Sequence, residues 1–502
     1  MSVTDTIAGG FKATLVSKIV EIGVNGLLIL LLTRVFLTTE EYGLLYLAIS
    51  IFGMAVFFSR MGFAKSAARY VTEYRDTDPS VVRAIVRRSL LFNLLSIAIV
   101  SAVVVVFREP IVAGFGEPEL LSLLSLGVLF IVAQTLRSYA YFLCQGFNRV
   151  TWSAILSIVS NLGIFVFAIG FLSLGFGIAG ALLGYIVGYA LGATVGLVVL
   201  YRWLSQLEPA ADATDDAASA ETEPRDDDGS ITRRLLEYSV PLTVTGASSI
   251  MFKRVDIVLV GAFLTPVAVA YYTLAKQLTE FVAAPASSLG FALAPTFGES
   301  KSNDDVAQAA AIYETTFEHN LLFYVPAATG MLLVADPAIR HVFGEEYLGA
   351  IPIVQVLSVF VVLESINKLT NGALDFLGRA RHRALSKGGA AIFNLGLNVV
   401  LIPTIGPTGA AVSTVISYAI MATVNLYLIH IELSLSVGRL ARTTLTVCGI
   451  AAGMALAVVL ALPYVSSVVT LLSTVLLGVA VWLTLAVGSG LLDPRWAVSQ
   501  LN

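Results

Sequence analysis

The residues with the most chemistry to offer are ionisable side chains set inside long apolar stretches. The segment FKRVD carries Lys253, Arg254 and Asp256, the next apolar stretch holds Lys276 and Glu280, and a later one holds Glu364, Lys368 and Asp375. Lys18, Glu21 and Arg137 lie in apolar surroundings nearer the N-terminus. Charges in hydrocarbon are costly and normally face a cavity or a partner, so they mark the first place to look for a site. The cations Arg137, Lys253, Arg254, Lys276 and Lys368 suit an anionic headgroup such as phosphate or pyrophosphate, with arginine the better bidentate partner. Glu21, Asp256, Glu280 and Asp375 suit coupling to an ion gradient through gain and loss of a proton, and the sequence does not choose among the four. Mutual neutralisation is the competing reading. Glu364 precedes Lys368 by four positions and Lys253 lies one turn from Asp256, spacings that pair charges on a helix.

The elements that must position these residues follow from composition. With 502 residues, 57% of them hydrophobic and only 13% charged, and a mean hydropathy of +0.86, the chain has lipid rather than water as its main solvent. A spanning helix needs roughly 20 mostly apolar residues. Such stretches fall near 12–36, 41–62, 89–107, 119–145, 150–173, 177–202 and 235–264, then near 267–297, 312–336, 350–377, 385–404, 407–431, 441–462 and 466–492. They predict an all-α integral membrane protein of about fourteen transmembrane helices. Unpaired backbone groups are too costly in hydrocarbon for anything but helices here, and the alternating pattern of a membrane barrel is absent.

Lys12, Lys18 and Glu21 inside the first stretch, with no small-residue cleavage site after it, point to a retained anchor. Cys144 and Cys448 are far apart and lie inside predicted helices, which suggests neither a disulfide framework nor a metal or cofactor site. The stretch 203–230 packs nine acidic residues around Arg225 and reads as a solvated cytoplasmic linker.

Lys and Arg favour short cytoplasmic loops. The connection after the second stretch holds Arg60, Lys65, Arg69, Arg75, Arg83, Arg87 and Arg88. Alternate connections from there carry Arg149, Arg233 with Arg234, Lys301, the group Arg379, Arg381, Arg383 and Lys387, and Arg439 with Arg442. The opposite side holds only Arg34, Arg108 and Arg340. Both termini are therefore expected in the cytoplasm, with the protein in the cell membrane among its lipids.

The chain also echoes itself. GIAGALLGYIVGYALGATVGL at 177–197 matches GPTGAAVSTVISYAIMATVNL at 406–426 in nine of 21 positions, an offset of 229. NLG at Asn161 returns at Asn394, and FLT at Phe36 returns at Phe263. The expected organisation is a six-helix bundle over 1–202, the linker over 203–230, a second bundle over 231–431, and two additional helices over 432–502. Repeats with an even number of spans enter the bilayer from the same side, and transporters of parallel repeats share this plan. In the self-alignment Arg137 falls within one position of Lys368.

LLTRVFLTTEEYGLLYLA at 31–48, the GFNR turn at 146–149, GFGIAGA at 175–181 and its counterpart IGPTGAA at 405–411 resemble the oligosaccharide/polysaccharide flippase family of the multidrug/oligosaccharidyl-lipid/polysaccharide exporter superfamily. The resemblance covers nearly the whole chain. It implies a flippase that carries a polyprenyl- or dolichyl-phosphate-linked oligosaccharide to the outer leaflet, its cationic lumen holding the phosphate. Another enzyme, a glycosyltransferase or an oligosaccharyltransferase, would then act on the glycan. A cation-coupled multidrug exporter of the same superfamily is the nearest rival, although such exporters usually have twelve helices and an acidic lumen.

A membrane glycan polymerase or glycosyltransferase is the rival of another class. The outer connections near 108–118 and 337–349 are short and show no nucleophile constellation or metal-ligand spacing. No GxxxxGK[ST] loop occurs, so neither enzymatic turnover nor nucleotide hydrolysis is expected, and no nucleic acid partner.

Overall fold

The computed structural model describes residues 3–207, 228–285 and 306–492, and every regular element among them is helical. The chain divides into two compact units, Met1–Ile250 and Met251–Asn502. Twelve helices among the described residues are long and apolar enough to cross a membrane. The seventh expected span is helical, with a π turn in it, and the eighth is helical over Pro266–Ala283; neither is among the twelve. The seventh stretch is broken by FKRVD, and the described part of the eighth holds Lys276 and Glu280.

The first unit begins with α1 (Val3–Leu31), which ends in a π-helical turn, Leu32–Phe36. It continues through α2 (Thr39–Arg60), α3 (Phe63–Tyr74), α4 (Pro79–Phe115), α5 (Leu120–Gly146), α6 (Val150–Ser173), α7 (Gly177–Gln206) and α8 (Asp228–Ile250). The basic connection expected as a loop after the second span is largely helical. Lys65 and Arg69 sit on the exposed face of α3, while Ala64, Ala67 and Val71 face inward. Arg83, Arg87 and Arg88 occupy the opening turns of α4, which begins at a strong start signal: Asp78 accepts from the amides of Ser80 and Val81, and Pro79 holds the first helical position. The acidic stretch is shorter at both ends than expected, because α7 runs to Gln206 and α8 starts at Asp228; residues 208–227, like Lys301, lie outside the described residues.

Glycine spacing explains the tightest packing in this unit. Gly184, Gly188 and Gly192 line one face of α7, and a Cβ at Gly184 or Gly188 would strike the backbone of Ala168 or Ile164 on α6. Helices in lipid gain little from hydrophobicity and associate through such close approach.

The second unit opens with a π turn, Met251–Val255, followed by α9 (Asp256–Phe263), α10 (Pro266–Ala283), α11 (Val306–Ala338), α12 (Ile351–Phe376), α13 (Ala380–Ile405), α14 (Pro407–Leu433), α15 (Val437–Ala461) and α16 (Val468–Gly488). The last two form a pair against α11. Arg439 on α15 grips Glu318 on α11 with two hydrogen bonds of 2.8 and 2.9 Å. Pro326 has no amide for the carbonyl of Leu322, and the indole of Trp482 on α16 donates to that carbonyl at 2.9 Å.

The echo in the sequence is an echo in structure. Leu37 and Leu264 are both extended, and the following Thr38 and Thr265 both cap a helix, accepting from the amides of Glu41 and Ala268. Gly177 and Gly406, paired by the 229-residue offset, both take positive φ, 55° and 69°, where a chain reverses into the next helix. Asn148 and Gly378 are left-handed as well, and the amides of Arg149 and Arg379 just after them reach back to Cys144 and Leu374 at 2.9 and 2.8 Å.

Candidate functional site

In the first unit Arg137 projects from α5 toward α6 and α7. Its Nε donates to the Ser160 hydroxyl at 2.8 Å, one terminal nitrogen donates to Ser157 at 3.4 Å, and the guanidinium lies 5.6 Å from the Tyr189 ring centroid. Gly192 makes room for this, since a Cβ there would strike Ser160 and press on the Arg137 chain. No carboxylate among the described residues stands within ion-pair distance of Arg137. Its partners are neutral hydroxyls, so the charge remains to be matched.

The turn alignment of Asn148 with Gly378 pairs Arg137 with Asn367. Lys368 is one residue on, about 100° further round the helix. Asn367 is buried and donates to the Leu363 carbonyl, and at the place of Gly192 stands Met421. The repeats therefore diverge at this position.

The second unit keeps its charges around the π turn. Asp256, with 0% exposure, accepts hydrogen bonds from Tyr272 at 2.9 Å, Asn398 at 2.8 Å and Thr414 at 3.2 Å. Lys276 lies 3.6 Å away and donates to the carbonyls of Phe252 and Lys253 at 2.7 and 3.3 Å. A π turn spoils the regular ladder and is common at functional sites; here its carbonyls receive the ammonium. Asp256 thus pairs with Lys276 from α10, and not with Lys253 one turn away. Lys276 is committed to this internal network.

Lys253 is exposed and Arg254 part-buried on the same turn, and neither has a carboxylate among the described residues within ion-pair distance. Glu364 and Lys368 do pair, at 3.5 Å, and Lys368 also donates to the Ala283 carbonyl at 3.2 Å. The Glu364 carboxylate feels Lys253 and Lys387 in addition to Lys368. The sequence places Lys387 only among topology-setting loop charges; in the structure it is on α13 and part-buried.

The remaining carboxylates are dispersed. Glu280 is exposed on α10, Asp375 bridges to Arg383 at 2.7 Å near the end of α12, and Glu21 pairs with Lys18 at 3.0 Å. Sequence reasoning missed Tyr272, Asn398, Thr414, Ser157 and Ser160. The one signal for them is polarity in apolar stretches, as with Asn394 and Asn398 four residues apart.

An apolar cavity of about 560 Å³ completes the second unit. Phe281, Phe323, Met331, Met454, Val475 and Trp482 are among the side chains that line it, from α10, α11, α15 and α16.

The family model described as "Polysaccharide biosynthesis protein" matches residues 8–301, more than half of the chain. A relative from Haloferax volcanii, "Probable low-salt glycan biosynthesis flippase Agl15", is 26% identical over 188 residues, 38% of this chain and 40% of that protein's length. Among solved structures, "Lipid II flippase MurJ, inward closed conformation" matches with a TM-score of 0.73 at 17% identity, covering 95% of this chain and 97% of MurJ. An inward-facing multidrug resistance MATE family transporter of the MOP superfamily matches with a TM-score of 0.62 at 14% identity, covering 83% of this chain and 98% of that one. At these identities the likeness is one of fold.

Proposed function

The chain belongs to the polysaccharide biosynthesis protein family, and we propose that it is a flippase that moves a lipid-linked oligosaccharide, carried on a polyprenyl or dolichyl phosphate, from the cytoplasmic to the outer leaflet by alternating access. The observation that carries this reading is Arg137, a cation within a spanning helix whose partners among the described residues are Ser157, Ser160 and the Tyr189 ring, with no carboxylate. A phosphate offers the bidentate charge partner it lacks. Lys253 and Arg254 add positive charge on the π turn of the second unit.

The apolar cavity beside α15 and α16 supports a cargo with a long hydrocarbon tail. In this reading the tail lies against those helices while the phosphate and glycan travel past the cations. The relatives' printed names, a glycan biosynthesis flippase and a lipid II flippase, agree with cargo of this kind. The protein would act without chemical turnover, in the cell membrane with both termini cytoplasmic, between glycosyltransferases that assemble the glycan and an enzyme that transfers or polymerises it.

A deletion strain assayed for lipid-linked oligosaccharide tests the proposal. The complete glycan lipid should accumulate on the cytoplasmic face. Unchanged glycans together with altered drug sensitivity would assign the protein to multidrug export, the role of the MATE transporter whose fold it shares.

A further inference from the structure

Arg137 is the last of three residues that one face of α5 presents at helical spacing, after Phe130 and Gln134. Tyr189 of α7 lies over the same stripe. Its ring centroid is 5.5 Å from that of Phe130 and 5.6 Å from the Arg137 guanidinium, the two neighbours that bracket Gln134 along the helix. Gln134 and Tyr189 are both half-buried, and both are unmatched. The Gln134 Oε1 is enclosed with no hydrogen-bond partner, and neither its amide nitrogen nor the Tyr189 hydroxyl hydrogen-bonds to any of the described residues. Other tyrosines of this unit are paired, Tyr185 with Tyr46 at 3.2 Å and Tyr139 with Ser89 at 2.7 Å. An enclosed acceptor left unmet is costly, and in a native protein it calls for an explanation. An amide, a phenol and a guanidinium, each short of partners, stand together here.

Resting on the reading of Arg137 as the phosphate's partner, we propose that Gln134 and Tyr189 form a sugar subsite, which reads the hydroxyl groups of the first sugar of the cargo, the one joined to the phosphate. The spacing fits this task. Three residues of α-helix advance about 4.5 Å, so Gln134 stands from Arg137 at the reach between a phosphate and the sugar ring it carries. A glutamine amide both donates and accepts, and so does a phenol hydroxyl, which matches the donor and acceptor character of a sugar hydroxyl. The terminal torsion of glutamine is broad, so the amide turns its enclosed oxygen toward an incoming hydroxyl at little cost. A site built to hydrogen-bond a substrate hydroxyl rejects the analogue without it, since the site's own polar groups are then left unpaired. The bare carrier phosphate lacks the sugar and satisfies Arg137 alone. Gln134 and Tyr189 thus select loaded carrier over empty carrier.

The test uses the purified full-length chain in detergent, titrated with a polyprenyl phosphate and separately with the same carrier bearing one hexose. The parent should bind the hexosyl lipid about tenfold more tightly, a difference of about 1.4 kcal/mol. Gln134→Met keeps the length of the side chain and removes both polar ends, and Tyr189→Phe keeps the ring and removes the hydroxyl. Each should abolish most of that preference, with the loss confined to the hexosyl lipid, whereas Arg137→Ala should weaken both ligands. Equal binding of the two lipids by the parent, or a preference retained in both Gln134→Met and Tyr189→Phe, overturns the sugar subsite and leaves the phosphate reading standing if Arg137→Ala still weakens both. Weaker binding of both lipids in Gln134→Met and Tyr189→Phe also overturns it, since a merely structural role has that effect. If Arg137→Ala weakens neither lipid, the phosphate reading itself fails and the sugar subsite falls with it.

Discussion

The Lys276 ammonium lies 3.6 Å from the Asp256 carboxylate and 2.7 Å from the Phe252 carbonyl oxygen, so a side chain on α10 neutralises the acid at the π turn and also caps a carbonyl of that turn. Breaking such a buried pair on one side leaves an uncompensated charge. Asp256→Asn and Lys276→Met should each lower stability by about 3 kcal/mol. The double variant should fall well short of the sum, and thermal unfolding of the four purified proteins measures the coupling. Strict additivity would show that the two groups do not act as a pair.

Arg137 makes two hydrogen bonds to hydroxyls and none to a carboxylate among the described residues. A charge-assisted bond to phosphate contributes about 1.5–3 kcal/mol, so Arg137→Ala should slow glycan lipid translocation by roughly tenfold or more. Arg137→Lys should recover part of the rate, because a point charge replaces a fork. Arg254→Ala should also impair translocation, whereas Arg69→Ala, on an exposed guanidinium 4.4 Å from the Tyr238 ring centroid, should do so far less. Equal effects at Arg254 and Arg69 would remove the case for a cationic path.

The cavity prediction separates tail from headgroup. Ala327 lines the apolar cavity, and Ala327→Trp should fill it. Vesicle assays should then show slower transport of long-chain carriers with pyrophosphate binding unchanged. Equal transport of long and short carriers by this variant would place the tail elsewhere.

Packing of α6 against α7 gives a paired control. Gly184→Ala drives a methyl into the Ala168 backbone, while nothing lies within 4 Å of a Cβ at Gly170. Overpacking costs typically 1–3 kcal/mol, so Gly184→Ala should lower the melting temperature and Gly170→Ala should not. Comparable melting temperatures would mean that the two helices can separate without penalty.

One group between spans has a pH signature. Burial, together with Glu40 and Glu119, raises the Glu117 carboxyl above the usual carboxylate range. The folded chain then binds this proton more tightly than the unfolded one, so the contribution is present at acid pH and is lost as pH rises from the ordinary carboxylate range through the raised value. Glu117→Gln should therefore melt slightly higher than the parent at pH 7 and together with it near pH 4. A larger gain in acid than at neutrality would reverse the sign and refute the assignment.

The long apolar stretches, the side distribution of Lys and Arg and the 229-residue echo are properties of the chain itself. Hydrocarbon leaves an apolar backbone one economical conformation, so the helices at 150–173 and 407–431 were legible directly. The capped joint at Thr38 returned at Thr265 because the same FLT triplet meets the same local need. Partners were not legible in this way. Asp256 draws its donors from 16, 142 and 158 residues away, and spacing along one helix suggested Lys253 where packing brought Lys276. Arg137 and Lys368 looked nearly equivalent in the alignment, yet one residue of offset turns a side chain to another face of its helix. Gly192 opens space for the first of them where Met421 stands in the other repeat. Local sequence sets helices and caps through short-range sterics, whereas the pairing of charges depends on which helices pack together, and only the tertiary structure decides that.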